Sequence, residues 1–416
     1  MTDLLTADLV ISNIDELLTC ATDASDLVGL IRTGAVAIAG ERIIAAGTNA
    51  EVEAVVDMSQ ADRIDASGKT VMPGFVDAHT HVMFGGSRLD EYVAKLTNED
   101  LDTLRATGAA IGIHGTADST RVLNVDELVE STLPRFQEML AAGTTTAESK
   151  SGYGLTVESE LTLLRANRKI SDLQPIDVVS TFMGAHGLPR AMAREEYVAL
   201  IVNQMLPQVA DERLAEFNDV WCDVGQFSLE ETRLILQAGL QLGIAPKLHL
   251  DQLSHTGAAG LCAELSCVSV DHLNHTTASE MKRLAVAGVT AVAMPGIDFA
   301  TAHQPPVNCR QILESGMRLA LATDICPGGW IPSMQLIIAL ACRLHHLSPA
   351  EAIRAATIGG AHALSREREI GSIEVGKRAD LLILDVARHE ELAYKIGRNA
   401  VLYVVKSGQI VVKPND

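Results

Sequence analysis

Hydrophobic positions fall in two textures along the 416-residue chain. At both ends they alternate with polar ones or form short runs broken by turns. ADLVISNI (7–14) and GAVAIAGERIIAAG (34–47) open the chain this way, and SGK at 67–69 closes the segment. IGSIEVGKRADLLILDV (370–386) and VLYVVKSGQIVV (401–412) repeat the texture at the far end. The pattern predicts one small sheet domain assembled from residues 1–70 and 371–416, an economical arrangement because chain termini often lie close together. In the middle the texture changes. Short apolar runs (VMPGFVDAHTH, GTTTAESKS, DVVSTFMGAH, DVWCDVGQ, PKLHLDQ, CVSVDHL, VTAVAMPG and RLALATDI) read as strands. Amphipathic stretches such as VESELTLLRANRKI, SLEETRLILQAGLQLG and TASEMKRLAVAG lie between them and read as helices. Eight strands alternating with helices over residues 71–370 predict an α/β fold, a (β/α)8 barrel. A doubly wound open sheet would want a glycine-rich phosphate turn after its first strand, and GFVDAHTH is not one.

Composition narrows the partners. Hydrophobic residues are 47% and charged residues 21%, as in folded globular chains. A formal charge of −20 disfavours nucleic acid and anionic membrane. A small anionic ligand would need a local Arg or Lys. No apolar run reaches the roughly 18–20 residues that span a bilayer. The first ten residues carry two aspartates and no basic group, so no secretory leader is expected. Cysteines at 20, 222, 262, 267, 309, 326 and 342 are dispersed without a CxxC pair, which points to reduced thiols in a cytoplasm.

The chemistry collects at predicted strand ends, where barrels of this kind build their sites. Those ends carry His79, His81, Tyr153, His186, His249, Gln252, His272 and Asp324. Residues two apart on a strand face the same way, so His79 and His81 can reach one ion. His249 and Asp324, at the ends of the fifth and eighth strands, would complete a three-His, one-Asp set with an open position for water. That donor set suits one divalent metal, Zn²⁺ first, with Fe²⁺ or Mn²⁺ also fitting. His114, His255, His275, His303, His345 and His346 read as surface or loop residues.

PGFVDAHTH, the distal ATD and the C-terminal IGSIEVGKRADLLILD resemble the amidohydrolase superfamily, in which a barrel is joined to a small β-sandwich made by both chain ends. A narrower likeness is to the imidazolonepropionase family. It rests on HTHVMFGGSR, KSGYGLTVESELTLLR, GAHGLP, HLDQLS, VDHL and ATDICPGG followed by SMQL. The resemblance implies that His79, His81, His249 and Asp324 hold the metal. Arg88 would bind a substrate carboxylate with support from Tyr153, and His186 and Gln252 would contact the ring. His272 would polarise the carbonyl under attack, and the loop with Cys326, Gly328 and Gly329 would touch the substrate. It further implies Asp324 as general base, hydrolysis of 4-imidazolone-5-propanoate to N-formimino-L-glutamate, and a homodimer.

Three departures from the family pattern stand out. A usual GGGI is GAAI at 108–111, a frequent preceding tyrosine is missing from LTNEDLDTLRAT, and DxNPG reads Asp324-Ile325-Cys326-Pro327-Gly328. A thiol hydrogen-bonds far more weakly than an amide. These changes fall where the family recognises its substrate, and residues 111–121 stand as a candidate lid. The competing readings are a lactamase on a related cyclic amide, a deaminase of a heteroaromatic base, and an inactive scaffold. A deaminase would place an acid soon after the strand-five histidine. Gln252 cannot titrate there, which leaves Asp251 as the only acid for that role. An inactive scaffold would be expected to have lost metal ligands first.

Overall fold

The computed structural model describes residues 4–22, 24 and 26–414; residues 1–3, part of the segment read for a leader, lie outside them. Eight strands pair in parallel and in chain order. They are β1 (Phe75–Asp77), β2 (Thr144–Lys150), β3 (Asp177–Ala185), β4 (Phe217–Cys222), β5 (Ala245–Leu250), β6 (Ser269–His272), β7 (Thr290–Ala293) and β8 (Arg318–Leu321). Each overlaps one of the eight runs, with β4 and β5 starting two residues and one residue earlier than DVWCDVGQ and PKLHLDQ. Strands covered on both faces read as continuous hydrophobic runs, which explains why these were visible. The ring closes just beyond the strand ends: Asp324 N donates to His79 O (3.1 Å) and His81 N to Ile325 O (3.0 Å). Buried Asp77 adds to this seam by accepting from Thr323 N (3.0 Å) and Thr323 Oγ1 (2.5 Å).

Side-chain caps start the covering helices. Asn124 caps α1 (Val125–Ala141), Thr156 caps α2 (Val157–Ser171), Ser228 caps α3 (Leu229–Gln241) and Thr277 caps α4 (Ala278–Val286). Each satisfies orphan N–H groups of the first turn. Three close as capping boxes, with Glu127, Glu231 and Glu280 reaching back.

A second sheet draws strands from both chain ends and forms the β-sandwich. Its order is Gln409–Val412, Val401–Lys406, Leu381–Leu384, Thr70–Pro73, Leu9–Leu18, Leu30–Ala39 and Arg42–Thr48. Ile11, Ile14, Val36, Val71, Leu381 and Val405 share one buried cluster there. Lys406 joins it to the barrel, its Nζ 2.7 Å from both Asp177 and Asp380. Asp177 opens β3, so the sandwich grips the barrel at the N-terminal ends of the strands, away from the mouth.

Two expectations need correction. His79 and His81 do not lie on a strand, because β1 ends at Asp77. The backbone there turns from ladder pairing to the closing bonds with residues 324 and 325. His345, read as a surface histidine, is 6% exposed. It ends an apolar helix, Met334–His345, whose inner face it continues. No helix among the described residues is long and apolar enough to cross a membrane.

Candidate active site

The loops after β1 and β8 and the last residues of β5 bring His79, His81, Asp324 and His249 together at the C-terminal mouth. Thr80 anchors the first loop, its Oγ1 donating to Glu148 O at 2.5 Å and its carbonyl accepting from Lys150 N at 3.0 Å. The flanking imidazoles are thereby turned into the barrel axis. Asp324 Oδ1 lies 3.6 Å from His79 Nε2 and 4.0 Å from His81 Nε2. His81 Nε2 is 3.4 Å from His249 Nε2. The ring of His272, at the end of β6, lies 5.0 Å from that of His249 and 5.4 Å from that of His79. All five residues are buried.

Whether a metal fits can be judged from the hydrogen bonds. His79 Nδ1 lies 2.7 Å from Asp271 Oδ2, and His249 Nδ1 lies 3.0 Å from Asp219 Oδ2. Each carboxylate holds the outer nitrogen and turns the inner one toward the axis. His79 Nε2 is buried and has no hydrogen-bond partner. A carboxylate-held imidazole with an unsatisfied inner nitrogen is the usual construction of a metal-binding histidine. Burial holds His79, His81 and His249 well below their ordinary titration range, so they remain neutral with lone pairs available. Burial also pushes Asp324 well above the usual carboxylate range. A cation would oppose that shift, since a bound ion inverts local pKa logic. Three neutral imidazoles and a carboxylate therefore fit a metal ion.

One wall comes from the loops after β2 and β3, which carry Tyr153 and His186. His186 stacks on His81, centroids 4.5 Å apart and 12° between planes, and Tyr153 lies 5.1 Å from His186. Burial pulls His186 down to about 4 and His272 to about 3. Buried Glu160 accepts from the backbone N–H groups of Gly152, Gly154 and Leu155 at 2.9, 2.7 and 2.8 Å, which fixes the loop carrying Tyr153. Arg88 approaches from the loop after β1. Its Nε and Nη2 donate to Glu91 at 2.6 and 2.7 Å. Glu91 also accepts from Gly112 N (2.8 Å) and pairs with Lys95 (2.6 Å). Burial alone would push Glu91 up, but these partners bring it to about 2. Arg88 Nη1 faces the loop after β8, where a Cβ on Gly328 would sit 3.3 Å away. That loop closes tightly, Cys326 and Gly329 exchanging backbone hydrogen bonds at 3.0 and 3.1 Å. Burial pushes the Cys326 thiol up to about 12, so it is no ready nucleophile.

Gln252 stands on the rim, where its carbonyl accepts from His303 Nε2 at 2.8 Å. Its neighbour Asp251 is buried and committed: it accepts from Thr256 N, Thr256 Oγ1 and Thr276 Oγ1 at 2.7, 2.7 and 2.8 Å. The one acid left open to a deaminase reading is thus engaged in holding loops. Residues 112–121 form a helix whose Thr116, Ala117 and Thr120 are buried. Arg121 Nε ties it to Gly154 O at 2.6 Å. Sequence reasoning missed Asp219, Asp271, Lys150 and Glu160. For Asp219, Asp271 and Glu160 a signal was present, each being a charged residue inside an apolar strand or on the buried face of a helix, whereas Lys150 ends a mostly polar strand.

Two profiles of the amidohydrolase family match the chain, over residues 227–411 and 62–123. An imidazolonepropionase of a Geobacillus species is 41% identical over 389 residues, covering 92% of this chain and 91% of the relative. That of Symbiobacterium thermophilum is 42% identical over 419 residues, covering 97% of each. Among solved structures, an adenosine deaminase from Xanthomonas campestris with bound Zn superposes with a TM-score of 0.72 at 21% identity, over 99% of this chain and 94% of that one. A triazine hydrolase variant gives 0.71 at 17%, over 97% and 94%. At such identities these two speak for the fold alone. The near-complete coverage at about 40% identity, on a barrel with this mouth, places the chain in the imidazolonepropionase family of the amidohydrolases.

Proposed function

We propose that the chain hydrolyses 4-imidazolone-5-propanoate to N-formimino-L-glutamate, with His79, His81, His249 and Asp324 holding one Zn²⁺. The convergence of those four side chains, in a chain about 40% identical to imidazolonepropionases, carries the reading. When bound, the ion supplies a Lewis acid that lowers the pKa of a water from 15.7 toward about 7. Asp324 keeps a second carboxylate oxygen with which to accept the water's proton, and then delivers it to the leaving ring nitrogen. His272, neutral and buried, donates a hydrogen bond to the carbonyl oxygen as it gains charge. His186, Tyr153 and Gln252 frame the ring. Arg88 takes the propionate tail, with the loop of Cys326, Gly328 and Gly329 as its floor. A guanidinium pairs with a carboxylate in two parallel hydrogen bonds, which provides local attraction inside a strongly acidic protein. We assign a homodimer from the same resemblance and a cytoplasmic setting from the dispersed cysteines.

The test is to purify the chain, quantify its metal and assay the imidazolone beside hydantoins, other cyclic amides and aminopurines. Fast ring opening with about one metal per chain supports the reading. One metal per chain with turnover only of another ring would replace the substrate, and fast aminopurine turnover would revive deamination.

A further inference from the structure

Beneath the mouth lies a fully buried ionic cluster that the proposed reaction does not use. Lys150, at the end of β2, and Lys247, on β5, meet Glu148, Asp219 and Asp271 with every side chain at 0% exposure. A buried ammonium is costly unless it is paired and hydrogen-bonded, so such a cluster persists only with its geometry satisfied. The contacts of Lys150 are specific. Its Nζ lies 2.6 Å from Asp219 Oδ2 and 3.2 Å from Asp271 Oδ2. Those same two oxygens receive His249 Nδ1 at 3.0 Å and His79 Nδ1 at 2.7 Å. One ammonium therefore ties together two histidine–carboxylate pairs, His249–Asp219 on β5 and β4, and His79–Asp271 reaching from the loop after β1 to β6. Lys247 differs, its Nζ reaching Glu148 Oε1 at 2.6 Å and Ala78 O at 3.4 Å and neither aspartate.

We infer that Lys150 is a positioning residue for the metal, setting through Asp219 and Asp271 the spacing and aim of the His249 and His79 imidazoles. The inference rests on the proposed ligand set. It assigns Lys150 no contact with substrate and no proton to move.

The experiment measures metal affinity and ligand geometry rather than turnover. The full-length chain is stripped of metal and titrated with Zn²⁺ against a chelator, and separately loaded with Co²⁺ for its visible absorption. Lys150→Met is compared with Lys247→Met, which removes an equally buried charge that touches neither histidine pair. The expected result is a loss of Zn²⁺ affinity of about 10–100-fold and an altered Co²⁺ band in Lys150→Met. Lys247→Met keeps the wild-type band and affinity. Unchanged affinity and band in folded Lys150→Met, or an equal loss in Lys247→Met, overturns the inference and leaves the ligand set standing. A wild-type chain that binds no ion overturns both. If Lys150→Met does not fold, Asp219→Asn, Asp271→Asn and their double variant are titrated instead. Through a shared lysine the two losses are non-additive; losses that multiply independently overturn the link.

Discussion

Arg88→Ala is the substitution whose consequence can be worked furthest. The guanidinium is held by Glu91 through Nε and Nη2, with its side chain 15% exposed, so its orientation is set before any ligand arrives. The free edge, Nη1, faces the Gly328 loop. A hydrogen bond to a charged group contributes about 1.5–3 kcal/mol. Losing it costs about tenfold to 150-fold in affinity, since about 1.4 kcal/mol is a factor of ten. That loss should appear mainly in KM, because the propionate tail is remote from the bond that breaks and its contact is made equally in ground and transition states. Glu91 keeps Gly112 N and Lys95 as partners, so the fold should survive. Steady-state kinetics on the imidazolone, with metal content and a melting curve as controls, decide the matter. A KM within about twofold of wild type, at unchanged metal content, would refute the reasoning. Arg88→Lys should recover part of the loss only, having charge without the fork.

Other expectations follow from the same geometry. Glu160→Gln should lower stability by about 1–3 kcal/mol and raise KM, because three backbone donors lose their charged acceptor; denaturant melts that coincide with wild type would remove Glu160 from this role. His186 and His272 have folded pKa values below their unfolded ones, so the unfolded chain binds more protons as pH falls below about 6.5. Their stability is present above that pH and lost as pH falls toward about 4 and about 3; for His186 alone the loss is of order 3 kcal/mol. Denaturation midpoints of the metal-free chain should fall steadily from pH 7 to 4.5, and a flat profile would contradict this burial. Cys326→Asn should improve kcat/KM for the imidazolone by a few-fold, about 1 kcal/mol from one added neutral hydrogen bond. A loss of ring opening in that variant would mean the loop is shaped around the smaller thiol.

The parts legible in the sequence share one property: a local pattern sufficed. Most barrel strands showed because burial on both faces makes apolar runs, and the helices because their period and caps are local. His79, His81 and Asp324 stood out as polar residues just past such runs, and His249 as one near the end of a run. What stayed hidden depends on pairings across the barrel. Asp219 and Asp271 look like stray charges in NDVWC and SVDH until the fold sets them behind His249 and His79. Lys150 reads as the end of TTTAESK, a segment with one apolar residue in seven, yet all seven are buried, and Glu148, Ser149 and Lys150 find their partners only in the folded barrel. The commitment of Arg88 to Glu91 was also unseen, although the i, i+3 spacing was there to read.

The seam between the first and last strands has a consequence for how the protein is made. His79 and His81 emerge early in synthesis, whereas Asp324 and Ile325, to which they are bonded, come 245 and 244 residues later. On the proposed ligand set, a nascent chain can have formed most of its helices and still lack Asp324. Ion capture would then follow closure of the ring, and contacts so distant along the chain are slow to form. A bound ion also adds to the stability of the closed ring alone, in proportion to the logarithm of its free concentration. Metal supply during growth would then set how much of the newly made chain stays closed long enough to escape proteolysis.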